Sequence, residues 1–80
     1  MSQKLNIEVW SQSNCPGCNA VKSLLESKGH HDFVEKMLGV TADKEELFTK
    51  APGVRSIPQV FIEGKHIGGL QEVQEYFKAQ

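Results

Sequence analysis

Apolar and polar positions change rhythm several times along this chain, and each change marks an element. Leu5, Ile7 and Val9 alternate with polar residues, the period-two pattern of a strand with one apolar face. Ser11-Gln12-Ser13-Asn14 breaks it. Val21, Leu24, Leu25 and Lys28 then recur at helical spacing, and Gly29 supplies a stop. Pro16 suits a first helical turn, because the N–H it lacks would have no partner there. The spacing therefore predicts a helix that begins at or beside Cys15. From Asp32 to Leu38 the local periodicity is that of a short helix face, with Phe33, Val34, Met37 and Leu38 apolar and Gly39 as the end.

Thr41 is a suitable cap for a further helix. Its first turn carries Asp43, Glu45 and Glu46, acids that suit a positive helix end, and Leu47, Phe48 and Ala51 form its apolar stripe before Pro52-Gly53. Ile57-Pro58-Gln59-Val60-Phe61-Ile62 is the most strand-like run, Glu63-Gly64 a tight turn, and Lys65-His66-Ile67 the antiparallel return. Gly68-Gly69 lets the backbone turn sharply, and Leu70, Val73, Tyr76 and Phe77 mark a closing amphipathic helix.

Eighty residues make a single domain, 1–80, with room for a modest core. A net charge of −1 offers no basic patch, so no nucleic-acid partner is expected. Met1 to Trp10 carries Gln3, Lys4, Asn6 and Glu8 among its apolar positions and does not read as a signal peptide. No later run approaches membrane-spanning length. The expected location is cytoplasmic, a reducing compartment where a lasting structural disulfide is out of place.

Both cysteines lie in Cys15-Pro16-Gly17-Cys18. A bridge across so small a loop contributes about 2 kcal/mol at best, which makes it a poor staple and a good switch. Thiol–disulfide exchange needs one thiolate that attacks and a second thiol that resolves the mixed disulfide, and two intervening residues put both sulfurs on one helical turn. Cys15, at the helix start, faces unpaired N–H groups and the positive end of the peptide dipoles, which stabilise a thiolate. Cys18, a turn further in, does not. Ser11 to Val21 contains no acid to oppose ionisation, and Lys22 adds a weak, screened positive charge. Cys15 is therefore the expected attacker and Cys18 the resolver; metal ligation and inert burial are the competing readings. Zinc would need two more ligands, yet His30 and His31 are adjacent and His66 stands alone, so no metal is expected.

Pro58 opens what otherwise looks like an interior strand, where a missing N–H should hurt. An edge strand or strand start would explain it; so would a cis Ile57–Pro58 bond that turns Ile57 toward the cysteines. Cys15-Pro16-Gly17-Cys18, then Gly53-Val54-Arg55-Ser56-Ile57-Pro58-Gln59-Val60-Phe61-Ile62, then Lys65-His66-Ile67-Gly68-Gly69, resembles a glutaredoxin over essentially the whole chain. The resemblance implies an α/β, thioredoxin-like fold: a four-stranded mixed sheet flanked by three helices. It makes His31–Met37 a strand parallel to the first, against its local spacing, and Pro58 a cis residue beside Cys15. It further implies that the backbone of Ile57 pairs with the cysteinyl unit of glutathione like an added strand. The γ-glutamyl end would then lie at the start of the last helix, near Gly69, Leu70 and Gln71.

Three positions depart from the family pattern. Gly17 replaces a frequent tyrosine, which implies a wider site. Gln12 replaces a frequent lysine that holds the glycyl carboxylate; Arg55 either supplies that charge or is a solvated loop residue. Gln71 replaces a frequent acid, although Glu72 follows. The implied function is glutathione-dependent reduction of protein disulfides and glutathione-mixed disulfides by a monomer, with disulfide-containing proteins such as ribonucleotide reductase as partners. One alternative is reduction by a flavoprotein thioredoxin reductase, which Gln12 and Gln71 favour. Another is a dimer holding an iron–sulfur cluster through one cysteine per chain and glutathione; Cys-Pro-x-Cys favours oxidoreduction over that.

Overall fold

The computed structural model describes residues 6–40, 42–54 and 56–79. Leu5, Thr41 and Arg55, to which the sequence assigned a strand position, a helix cap and a glutathione contact, lie outside the described residues. In chain order the elements are β1 (Ile7–Ser11), α1 (Pro16–Ser27), β2 (Val34–Met37), α2 (Lys44–Lys50), β3 (Gln59–Ile62), β4 (Lys65–Gly68) and α3 (Leu70–Lys78). The sheet runs β2-β1-β3-β4, with β1 parallel to β2 and antiparallel to β3, and β3 antiparallel to β4. Three helices and a mixed four-stranded sheet make the thioredoxin-like fold.

Side-chain alternation along the central strands decides which helix covers which face. Ile7 and Val9 share a face with Val60 and Ile62, and there they meet Val21 and Leu25 of α1 and Val73 of α3. Trp10 and Phe61 point to the opposite face, where Ala42, Leu47 and Ala51 enclose them. Because both faces are covered, β3 is buried at all its positions, and Val60-Phe61-Ile62 reads as a continuous apolar run after the buried Gln59.

The parallel strand expected from the resemblance is present, but it is shorter than His31–Met37. Its helix-like spacing has a simple origin. Phe33 packs into the first cluster and Leu38 into the second, so these apolar positions serve opposite faces of an edge strand. Val34 is 53% exposed.

In α2, Asp43 occupies the N-cap position with extended backbone, and Glu45 and Glu46 lie in the first turn as expected. Leu47 and Ala51 are buried, whereas Phe48, the third member of the stripe, is 47% exposed. Neighbouring residues on a helix diverge by about 100°, and the narrow face of so short a helix takes one of them. The β3–β4 turn has Glu63 at φ 54° and Gly64 at φ 78°, the pair of left-handed residues that a two-residue hairpin requires. Among the described residues, no helix is long and apolar enough to cross a membrane.

Candidate active site

β1 delivers the chain to Ser11, which is fully buried, and the exposed Gln12-Ser13-Asn14 segment follows. Asn14 turns the backbone through φ 53°, a left-handed conformation that asparagine tolerates better than most residues. Cys15 then serves as the N-cap of α1 in extended conformation, and Pro16 begins the helix as the sequence indicated. The amide N–H of Cys18 donates to Cys15 Sγ at 3.1 Å and to the Cys15 carbonyl at 3.1 Å. Cys15 is half-buried and Cys18 is 1% exposed. The two are joined as a disulfide with Cα atoms 5.2 Å apart. The first turn of α1 carries no acid. A sulfur at this position lies in the field of the helix N-terminus and accepts a backbone hydrogen bond, two features that favour negative charge.

The Ile57–Pro58 bond is cis, and the Ile57 carbonyl oxygen lies 4.0 Å from Cys15 Sγ. Pro58 is wedged between two residues that have no side chain. A Cβ at Gly17 would stand 3.2 Å from Pro58 Cδ, and one at Gly69 would stand 3.3 Å from the Pro58 carbonyl oxygen. On its proline side Gly17 therefore has little room for even a methyl group.

Gln12 and Ile57 come together on a groove of about 240 Å³, shared with Leu38, Lys44, Leu47, Phe48, Val54 and Ser56. Sequence reasoning did not place Lys44 and Phe48 beside Gln12 and Ile57, having taken Phe48 as core. The adjacency of Leu47 and Phe48 was the available signal, since one of them had to leave the buried stripe. On the other side of Pro58, Gly69 is the N-cap of α3, with Leu70 and the exposed Gln71 as its first residues. The Gly69 N–H donates to Glu72 Oε1 at 2.8 Å. Glu72 therefore caps its own helix, and Gly69 already has a partner for its donor.

Behind the cysteine loop, Ser11 Oγ and Lys22 Nζ both donate to Glu35 Oε2, at 2.7 and 2.8 Å. The Lys22 bond, followed by that from Ser11, holds the Glu35 carboxyl below the ordinary glutamate range. Lys22 spends its charge on Glu35, which corrects the expectation that it assists the cysteines. His30 stacks on Phe77 at 5.3 Å, and His66 is hydrogen-bonded to Gln59 at 2.7 Å. Among the described residues, no group of three or more His, Cys, Asp or Glu is arranged to hold a metal ion.

The family model for glutaredoxins matches residues 7–67. Glutaredoxin 3 of Escherichia coli K12 is 38% identical over 68 residues, which covers 85% of this chain and 81% of the relative. Among solved structures, wheat glutaredoxin superposes with a TM-score of 0.75 at 36% identity, covering 91% of this chain and 69% of that one. A buckwheat glutaredoxin–glutathione complex superposes at 0.67 and 29% identity, covering 94% and 70%. Fold, cysteine pair and sequence agree: the chain belongs to the glutaredoxin family and is a thiol–disulfide oxidoreductase.

Proposed function

We propose that this oxidoreductase is glutathione-dependent and reduces protein disulfides and glutathione-mixed disulfides in the cytoplasm, as a monomer. The observation that carries the reading is the seat of Cys15: an N-cap sulfur accepting the Cys18 N–H at 3.1 Å, beside the Ile57 carbonyl at 4.0 Å. In the reduced protein, the Cys15 thiolate attacks a substrate disulfide, forming a mixed disulfide and releasing one substrate thiolate. Cys18, as thiolate, then attacks Cys15 Sγ, closing the internal bond and releasing the second substrate thiol. One glutathione thiolate opens that bond to give a Cys15–glutathione disulfide and a free Cys18. A second removes the glutathionyl group as glutathione disulfide. For glutathione-mixed disulfides, Cys15 alone is sufficient.

Glutathione lies across the site with its cysteinyl backbone paired to Ile57. Its γ-glutamyl end reaches the start of α3 at Leu70 and Gln71, beside Gly69. Its glycyl carboxylate enters the groove that Gln12 lines, where Lys44 supplies a cation; among the described residues, Lys44 makes no ion pair. This offsets the departure at Gln12, one of the two departures, with Gln71, that favour a thioredoxin reductase as electron source. The glutathione complex of the buckwheat relative supports the same ligand.

Two measurements test the reading. Disulfide reduction should proceed with glutathione, glutathione reductase and NADPH; activity only with thioredoxin reductase and NADPH refutes glutathione dependence. Cys18→Ser incubated with glutathione disulfide should carry one glutathionyl adduct, mapped by mass spectrometry to Cys15, and should keep deglutathionylation while losing protein-disulfide reduction. Cys15→Ser should lose both.

A further inference from the structure

The loop that carries Ile57 is held by a chain of side-chain hydrogen bonds that starts on β4. Gln59, 7% exposed, donates from Nε2 to the Ser56 carbonyl at 3.0 Å, with Ser56 Oγ at 3.4 Å. Its Oε1 stands 2.7 Å from His66 Nε2. A carbonyl can only accept, so the Ser56 carbonyl fixes which end of the Gln59 amide faces it. That leaves Oε1, which also can only accept, facing the histidine. His66 Nε2 therefore carries a proton. Both the neutral Nε2–H tautomer and the imidazolium meet this demand, so the link does not depend on the charge of the ring. The ring itself sits against Phe61, its cross-strand partner, at 5.0 Å.

We infer that His66 is a positioning residue for substrate: acting through Gln59, it fixes the Ser56 carbonyl and so the backbone of Ile57 on which a disulfide-bearing peptide pairs. This rests on the proposed pairing at Ile57. A backbone that receives an added strand must be preorganised, or its ordering is charged against binding. Without the His66 donor, the Gln59 oxygen loses its only partner among the described residues. The amide is then free to turn, and the Ser56 anchor loosens with it. The Ile57 carbonyl borders Cys15 Sγ at 4.0 Å, but the sulfur keeps its Cys18 N–H bond and its place at the start of α1, neither of which involves Gln59 or His66.

The test compares two substrates, with dithiothreitol regenerating the enzyme: a disulfide-linked peptide, and 2-hydroxyethyl disulfide, which has no backbone amide. His66→Phe keeps a ring against Phe61 and removes the donor. It should raise KM for the peptide about three- to tenfold, the range expected for one hydrogen bond. Its kcat and its rate with 2-hydroxyethyl disulfide should be unchanged. His66→Gln, whose Nε2 reaches about as far as that of histidine, should restore KM. An unchanged KM in His66→Phe, an equal loss on both substrates, or no rescue by glutamine overturns the inference. Independently, the imidazole nitrogen shifts of the wild-type protein should report protonated Nε2; a stable Nδ1–H tautomer with bare Nε2 overturns it as well. Dithiothreitol keeps the two readings apart: if glutathione cannot replace it, glutathione dependence fails while the KM split stands.

Discussion

The two faces of the sheet are built to different standards. On one, Val9, Val21, Leu25, Val60 and Val73 are all fully buried, locking α1 and α3 to the strands. On the other, Trp10 and Phe61 meet a seven-residue α2 whose Phe48 remains 47% exposed. The tightly packed face holds the helix whose N-cap is Cys15. The looser face borders the groove next to it. A reactive sulfur needs a fixed helix end, and the fold provides it on the side where packing is complete, leaving the groove on the other.

The largest expected effect breaks the first face. Leu25→Ala should cost about 3 kcal/mol of stability, since a fully buried leucine leaves a cavity under α1, read as a lowered denaturant midpoint at constant m. On the second face, Lys44→Glu should raise KM for glutathione about five- to tenfold with stability nearly unchanged, because an exposed cation there would be exchanged for a repelling acid. An unchanged KM would remove Lys44 from the site.

Glu35→Gln probes the seam between α1 and the sheet and should cost about 1 kcal/mol near neutral pH. The folded-state carboxyl is held below its ordinary value, mainly by Lys22 and then by Ser11. Its contribution is therefore fully present above the unfolded value of about 4.3 and is lost as pH falls through the folded value. The gap between wild type and variant should close in acid, and a gap independent of pH would refute the ion pair. Smallest of all, Phe48→Ser should change stability by less than about 1 kcal/mol, as expected for a side chain left half in water.

Much of this was legible in the sequence because it is local. Pro16 after Cys15 and Glu63-Gly64 between two strands each specify their geometry within a few residues, and both appear where expected. The β2 strand was not legible from spacing, since Phe33 and Leu38 answer to helices on opposite faces; only the resemblance supplied it. The Lys22–Glu35 pair and the His66–Gln59–Ser56 chain were invisible for a related reason. The first joins residues that only the parallel β1–β2 pairing brings together; the second lies within a hairpin the sequence does predict, but both consist of polar residues that an isolated segment would leave in water.

Pro58 has one further implication. Gly17 and Gly69 come from opposite ends of the chain, yet both leave their missing side-chain volume to this one ring and its carbonyl. A methyl added at either would jostle the same neighbour. Once one alanine has displaced it, the second enters a site already disturbed, so the double mutant should not cost the sum of its parts. To a library screen the two positions would behave as one locus.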